Sequence, residues 1–465
     1  MIQTSAIFLF LNYCLGKKVD ISMVVAKIDW RQLYNFASRQ ALLGFCFDGI
    51  NRLGQEYPDE LKQNPIGREL LMTWMGTTQQ IRRQNMKVNA VAGKLYSKFR
   101  EDGLRCCILK GQGNALMYPN PYSRTPGDID VWVNASREEI TEYAKTHFEI
   151  GDDIRFHHLE TSFDGVPVEL HFFPGIMNNP IYNARLQKWF KRNVDLQCSN
   201  VVSLPDGIGE IAIPTMAFNV IYQLTHLYHH FFDEGIGMRQ IIDYYYVVCD
   251  FYKVYQKSSK ITPSLFTLKE GDFSNHPVPL SKEGSTFSPS PSSSGSGDVT
   301  APSRCSEPLR SKDGGPSKVS PDCAGWDRLS IEGDNSAGSI DTSASGSSAS
   351  TALDVVQREL KHLGLWKFAG AVMYVLHEAL GLSEEKMIAP MDEKRGRLLL
   401  AEILDGGNFG RHFTKYAGFT HQSMGKKYFL KIWRNMHFVR YYPAEALSEP
   451  IFRTWHFFWR MKNKK

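Results

Sequence analysis

Residues 127–133, with the sequence GDIDVWV, constrain the fold more than any other segment of this chain. Alternate residues of a β-strand share one face, so Ile129, Val131 and Val133 predict a buried face. Asp128 and Asp130 then project together from the opposite face, about 6 to 7 Å apart along the strand. The segment therefore predicts a core strand that carries two carboxylates able to hold a divalent ion.

A third carboxylate lies on another predicted strand, in VPVELHF at residues 166–172. There Glu169 and His171 alternate with apolar residues, and Pro167 indicates that the strand begins at this point or lies at a sheet edge. Three converging carboxylates repel one another unless cations neutralise them. Because Mg²⁺ favours oxygen ligands, Asp128, Asp130 and Glu169 are our predicted metal ligands and catalytic residues.

The segment LKGQGN at residues 109–114 predicts a strand-to-helix turn after a third strand, Cys106 to Leu109. Gly111 and Gly113 allow backbone N–H groups to approach a phosphate, and Lys110 supplies a positive charge beside them. A plain tight turn is the alternative, since the segment lacks the spacing of a P-loop. The two aspartates that follow favour the phosphate interpretation.

The pattern along the chain predicts an α+β fold with a small mixed-sheet core between helical segments. The 72 residues of 281–352 include 21 Ser, 9 Gly and 6 Pro, a composition that cannot offset its ordering entropy and predicts disorder. The predicted divisions are a helical N-terminal segment (1–87), the α/β core (88–205), a helical segment (206–269), a disordered insertion (270–352) and a C-terminal helical region (353–465).

The net charge and its distribution along the chain limit the kinds of partner that this protein could bind. The formal net charge is only +5, too small for a chain that binds nucleic acid over its whole length. Residues 405–465, however, carry 12 Lys and Arg against 3 Asp and Glu, interleaved with aromatic residues. This basic aromatic tail could bind nucleic acid or a membrane surface, but we favour docking of its aromatics on their own domain.

Eight cysteines without a CxxC pair predict neither a disulfide framework nor a zinc site and favour a reducing compartment. The longest apolar run near the N-terminus, Ala6 to Leu11, is too short to span a bilayer and lacks the flanks of a signal peptide. We therefore expect a cytoplasmic protein with no transmembrane segment.

Taken together, LKGQGNALMYPNPYSRTPGDIDVWV, VPVELHFFPG and HLYHHFFDEGIGMRQIIDYYYV resemble a large, mostly uncharacterised group of bacterial nucleotidyltransferases in the polymerase-beta-like superfamily. The resemblance implies two metal-binding aspartates at Asp128 and Asp130 and a third carboxylate at Glu169. It also implies two Mg²⁺ ions and transfer of a nucleoside monophosphate from an NTP to an acceptor hydroxyl. In this chain Gly111-Gln112-Gly113 replaces the usual Gly-Ser of the nucleotide turn.

Two arginines complete the predicted nucleotide site. Arg239 and Asp243 share a helix face, where they would form either a weak surface ion pair or a phosphate contact through the fork of Arg239. The resemblance favours the phosphate contact, and Arg124, just before the aspartates, is placed similarly. His226, His229 and His230 share another helix face, where we expect them to line the cleft rather than bind a metal.

A second class of function remains open from the sequence. A non-catalytic module could bind a nucleotide or a protein partner on the same fold, with the basic aromatic tail as its interaction surface. The three carboxylates favour the enzyme.

Overall fold

The computed structural model describes residues 2–256, 351–413 and 424–463. The predicted disordered insertion therefore lies outside the described residues except for its last two positions. Thr351 is the N-cap of a helix that begins at Ala352, and its hydroxyl accepts a hydrogen bond from the backbone N–H of Asp354. Those two residues belong to the start of the C-terminal helical region.

The described chain combines many helices with one mixed sheet, which confirms the predicted α+β class. Seven strands are described: β1 (Cys106–Leu109), β2 (Ile129–Val133), β3 (Glu149–Ile154), β4 (His158–Phe163), β5 (Val166–His171), β6 (Val201–Ser203) and β7 (Glu210–Ala212). The N-terminal helices are α1 (Ile2–Cys14), α2 (Ser22–Val25), α3 (Trp30–Arg39), α4 (Leu43–Glu56), α5 (Pro58–Gln63) and α6 (Arg68–Glu101). The helices of the middle of the chain are α7 (Gly111–Ala115), α8 (Arg137–His147), α9 (Pro180–Ser199), α10 (Met216–Asp233) and α11 (Met238–Gln256). The last helices are α12 (Ala352–His362), α13 (Trp366–Leu380), α14 (Glu393–Gly406), α15 (Met424–Met436) and α16 (Pro443–Asn463).

The five-stranded sheet has the order β1-β2-β5-β4-β3, in which β2 and β5 are parallel and the other neighbours are antiparallel. The three strands predicted from the sequence are confirmed as β1, β2 and β5. The sequence analysis missed β3 and β4. Pro167 is the second residue of β5, one position before that strand begins to pair with β2, so the proline marks the start of an inner strand rather than an edge.

The two faces of the sheet pack against different layers. On one face, Ile129, Val131 and Val133 are buried against α6, as the alternation predicted. Helix α6 presents Val88, Ala92, Leu95 and Phe99 at helical spacing to this face, while its first half packs in the larger helical core. A single helix, α6, therefore crosses the predicted boundary at residue 87 and connects the helical N-terminal segment to the sheet.

The opposite face, which carries Asp130, is covered by helices rather than by solvent. Trp132 of β2 lies 5.8 Å from Phe218 of α10 and 5.9 Å from Phe190 of α9, measured between ring centroids. These contacts hold α9 and α10 over one end of that face. The polar residues at the other end therefore lie in a cleft between the sheet and the helices.

A buried ion pair ties the sheet layer to α11. Arg124 donates to Asp243 through Nε and Nη2, each at 2.8 Å, and both side chains are about 95% buried. The hydroxyl of Tyr118 donates a third hydrogen bond to Asp243 at 2.7 Å. Of the two alternatives for Arg239, the surface ion pair with Asp243 is not found, because Asp243 is buried and pairs with Arg124.

Among the described residues, no helix is long and apolar enough to cross a bilayer.

We expect Asp243→Asn to lower the free energy of unfolding by about 3 to 5 kcal/mol, because it leaves the Arg124 guanidinium buried without its counter-charge. Tyr118→Phe, which removes one hydrogen bond to the same carboxylate, should cost about 0.5 to 1.5 kcal/mol. Urea unfolding followed by circular dichroism measures both values. Equal losses for the two variants would show that the ion pair contributes no more than a single hydrogen bond.

Candidate active site

The three predicted carboxylates lie together on the helix-covered face of the sheet. Asp130 and Glu169 are directly opposed residues of the parallel strands β2 and β5. Asp128 immediately precedes β2 and, by strand alternation, belongs to the same face. Asp130 is buried, Glu169 is partly buried and Asp128 is exposed to the cleft.

Lys110 directs its ammonium group at the central carboxylate. Its Nζ lies 2.7 Å from Asp130 Oδ1 and 3.4 Å from His226 Nε2. The backbone of Lys110 has φ 52° and ψ −124°, an unfavourable conformation for a residue other than glycine. Backbone strain of this kind is common at functional sites, where the surrounding structure holds it in place.

His171 bridges two of the carboxylates and was not among the predicted site residues. Its Nε2 lies 3.0 Å from Asp130 Oδ1 and 3.2 Å from Glu169 Oε2. Burial lowers the pKa of His171, but hydrogen bonds and charge from Asp130 and Glu169 outweigh burial and raise that pKa to about 9. The alternation in VPVELHF placed His171 on the face of Glu169, and this signal could have identified it.

The carboxylates differ in charge state because their neighbours differ. Burial would raise the pKa of Asp130, but Lys110 and the hydrogen bond from His171 hold it below its usual value. Burial likewise opposes ionisation of Glu169, whose pKa is held well below its usual value by His171 and His158. By contrast, enclosure in the cleft and the negative charges of Asp130 and Glu169 raise the pKa of Asp128 to about 7.

The donor set fits a divalent cation. Asp128, Asp130 and Glu169 offer hard carboxylate oxygens, the ligands that Mg²⁺ favours. The raised pKa of Asp128 reports crowding of negative charge that a bound cation would relieve. His171 and Lys110 already neutralise part of this charge within the protein.

The turn after β1 is tight, and it contains two glycines for different structural reasons. Gly111 has φ +23°, a backbone conformation that other residues rarely adopt. A Cβ at Gly113 would lie 3.0 Å from Ile213 Cγ2, a tight contact that would require the Ile213 side chain to shift. Helix α7, which follows, is only five residues long.

Arg239 lies beside the turn and is 8% exposed. Its Nη1 donates to the carbonyl of Thr125 at 2.9 Å, and its Nε has no hydrogen-bond partner. Burial and the neighbouring charge of Arg124 lower the pKa of Arg239. Among the described residues, no carboxylate lies within ion-pair distance of this guanidinium.

Two cavities meet at the carboxylates. The basic cavity, of about 550 Å³, is lined by Lys110, Gly111, Arg124, Asp128, Asp130, Arg239 and Arg411, among others. The histidine cavity, of about 250 Å³, shares Lys110, Asp128, Asp130, His226 and Arg411 with the first and adds Glu169 and five histidines, His157, His158, His171, His229 and His230. The shared wall carries the two aspartates, and Glu169 lies on the histidine side only.

The three helical histidines line the histidine cavity, as the sequence predicted. One of them, His230, has a carboxylate partner. His230 Nδ1 lies 2.8 Å from Glu234 Oε1. Burial lowers the pKa of His229 to about 4 and that of His226 well below its usual value. His226 and His229 are therefore neutral at pH 7.

The basic aromatic tail is partly docked. Trp455 and Trp459 of α16 pack edge-on against Phe156, with ring centroids 5.0 and 5.6 Å away. Phe457 and Phe458 on the same helix are more than half exposed. The expected docking is thus found for some aromatics and not for others.

Comparison with known proteins supports the nucleotidyltransferase superfamily. Residues 26–254 match a family described as uncharacterised nucleotidyltransferase, and this range includes every predicted site residue. No curated protein matches the chain. A crystal structure of an antigenic nucleotidyltransferase-like protein from Paracoccidioides brasiliensis is similar at 17% identity, covering 35% of this chain and 75% of that one, with a TM-score of 0.24. A TM-score this low does not establish a shared fold.

We expect Asp128→Asn and Asp130→Asn to change the melting temperature in opposite directions at pH 8 in EDTA. The pKa of Asp128 in the folded protein, about 7, exceeds its usual 3.8, so its contribution to stability is present below pH 3.8 and is lost as pH rises to 7. Asparagine avoids that loss, and the gain is modest because cleft water screens Asp128.

The pKa of Asp130 is shifted in the opposite direction, so we expect Asp130→Asn to lower the melting temperature. Its lowered pKa stabilises the fold above pH 3.8, and this stability is lost as pH falls. Asparagine removes it and leaves Lys110 without its partner. Differential scanning fluorimetry from pH 4 to 8 measures both variants. A comparable destabilisation by Asp128→Asn would contradict the proposed difference between the aspartates.

Proposed function

We propose that this protein is a Mg²⁺-dependent nucleotidyltransferase that moves a nucleoside monophosphate from an NTP to an acceptor hydroxyl. In this reaction the acceptor oxygen bonds to the α-phosphorus, the bond from that phosphorus to pyrophosphate breaks, and the hydroxyl proton is released. The family match supports the class of reaction. The assignment of residues to roles rests on the geometry of the two cavities.

Arg239 carries the argument for the nucleotide. A buried guanidinium without a carboxylate partner is costly unless an anion compensates it. Arg239 lines the basic cavity beside Lys110 and Gly111, where the turn offers backbone N–H groups. A triphosphate in this cavity would supply the missing negative charge and would accept the planar fork of Arg239.

Arg124 acts differently in this proposal. Two of its nitrogens are committed to Asp243, so the net charge it offers a phosphate is small. Arg124 lines the same cavity and lies close enough to influence Arg239. We therefore retain Arg124 as a nucleotide contact of secondary importance that also fixes the wall of the cavity.

Asp128, Asp130 and Glu169 would hold two Mg²⁺ ions, with the aspartates shared and Glu169 on the acceptor side. When bound, these ions would neutralise the phosphates and make the acceptor hydroxyl more acidic. Lys110 keeps Asp130 ionised, because its ammonium stands 2.7 Å from the carboxylate. The strained turn orients this ammonium toward the wall that the two cavities share.

The acceptor would enter from the histidine cavity. Glu169 lines that cavity and is absent from the basic one. A carboxylate on the acceptor side affects the acceptor hydroxyl more than the triphosphate. Substitution of Glu169 should therefore reduce transfer much more than it reduces NTP binding.

One observation favours the second candidate function, a non-catalytic nucleotide-binding module. Lys110 and His171 compensate Asp130 from within the protein, so the carboxylates do not depend on metal ions for their burial. In such a module Arg239 would still bind phosphate, and the exposed aromatics of α16 would contact a partner.

We expect Glu169→Gln to bind Mg·NTP within a few-fold of wild type and to lose transfer on the order of 100-fold or more, the pattern of an interaction made mainly in the transition state. Arg239→Gln is the matched contrast, because it should weaken binding of Mg·NTP itself. Calorimetry with non-hydrolysable NTPs measures binding. Labelled NTPs with fractionated cell lysate measure transfer.

Equal loss of binding and transfer in Glu169→Gln would place Glu169 on the nucleotide instead. Wild-type protein that binds NTP but labels nothing in any fraction would favour the binding module.

A further inference from the structure

Three histidines of the sheet layer form a cluster that the proposed reaction does not use. His157 directly precedes β4, His158 is the first residue of β4, and His171 is the last residue of β5. His158 and His171 are directly opposed across the two antiparallel strands. We call these three residues the histidine triad; one ligand atom from each lies within 4.8 Å of the other two.

Two imidazoles of the triad have an unsatisfied nitrogen. No hydrogen bond reaches Nδ1 of His157 or Nδ1 of His171 within the described residues, whereas His158 faces two carboxylates, with its Nδ1 3.3 Å from Glu169 Oε2 and its Nε2 3.9 Å from Glu160 Oε1. His158 and His171 are 3% and 2% exposed, so bulk water does not reach their rings freely. A buried polar atom without a partner is destabilising, and Nδ1 of His157 and Nδ1 of His171 are two such atoms in one cluster, which indicates a missing ligand.

Packing between the rings does not satisfy these nitrogens. The rings of His157 and His158 meet edge-on with centroids 4.3 Å apart, and those of His158 and His171 with centroids 5.0 Å apart. Such contacts bury the carbon edges and faces but provide no acceptor or donor for nitrogen. A cation that coordinates nitrogen would satisfy all three residues at once.

We propose that the histidine triad binds one divalent transition-metal ion of the Zn²⁺ type, separate from the Mg²⁺ positions on the carboxylates. Imidazole suits Zn²⁺, Ni²⁺, Cu²⁺ and Fe²⁺, whereas Mg²⁺ takes oxygen ligands. Zn–N bonds of about 2.0 to 2.1 Å put the nitrogens of one tetrahedral ion about 3.4 Å apart, and the ligand atoms of the triad lie within 4.8 Å of one another. The site does not depend on the proposed transfer reaction.

The position of the triad suits an ion with an open coordination site. All three residues line the histidine cavity of about 250 Å³. Three protein ligands leave a fourth position for water or an oxygen of a bound molecule, the arrangement found in catalytic zinc sites. His171 contributes to both regions, because its Nε2 contacts the carboxylates while its Nδ1 is unpartnered.

The test is metal binding by the full chain after treatment with a chelator. We expect one Zn²⁺ or Co²⁺ ion per chain, with visible absorption typical of tetrahedral Co²⁺ and no displacement by excess Mg²⁺. His158→Gln should weaken Zn²⁺ binding by about 100-fold or more. A residue that only hydrogen-bonds to a metal ligand typically changes metal affinity by about 10- to 100-fold. His226→Gln is the matched control, because His226 lines the same cavity with its Nε2 directed at Lys110, and it should bind within a few-fold of wild type.

X-ray absorption of the Zn²⁺-loaded wild type decides the ligands even if His158→Gln fails to fold. A shell of three imidazoles supports the proposal, and a shell of carboxylate oxygens overturns it. Folded wild-type protein that binds no Zn²⁺, or an equal loss in His226→Gln, also overturns it. The transfer assay stays independent: metal binding without transfer would reject the proposed function alone, and Mg²⁺-supported transfer without Zn²⁺ binding would reject the triad alone.

Discussion

The parallel pairing of β2 with β5 places two carboxylates side by side where they are largely buried. The other groups of the site compensate their charge. Asp130 and Glu169 are opposed in register, and α9 and α10 cover the face on which they lie. A buried carboxylate must be compensated. Lys110 from the end of β1 and His171 from the end of β5 provide that compensation, so three adjacent strands each contribute one part of a single charge network.

A second network of buried charges determines how Arg124 and Arg239 of the basic cavity differ. Asp243 is the only carboxylate among the described residues within ion-pair distance of Arg124, and it accepts two hydrogen bonds from that guanidinium. This pairing leaves Arg239, four residues earlier on α11, with no carboxylate at ion-pair distance among the described residues. A fold that neutralises one buried guanidinium and not its neighbour keeps a directed positive charge in the basic cavity.

The two cavities therefore differ in chemistry although they share a wall. Guanidinium groups and the glycine turn line one cavity, and most of the clustered histidines line the other. Hard anions and soft nitrogen-binding cations have opposite preferences for these surroundings. Asp128 and Asp130 lie between them, so the proposed triphosphate and transition-metal sites would lie on opposite sides of this wall.

The sequence by itself determined the class of fold, three strands of the sheet and the carboxylates that share its face, because side-chain alternation in a strand is a local rule. It missed β3 and β4, whose polar residues hide the alternation, and with β4 it missed His158. It did not identify Arg124 as the partner of Asp243, since an i, i+4 spacing says nothing about an arginine more than a hundred residues away. Only the tertiary structure decided which charges meet, because pairing across strands and between layers depends on register and packing rather than on spacing along the chain.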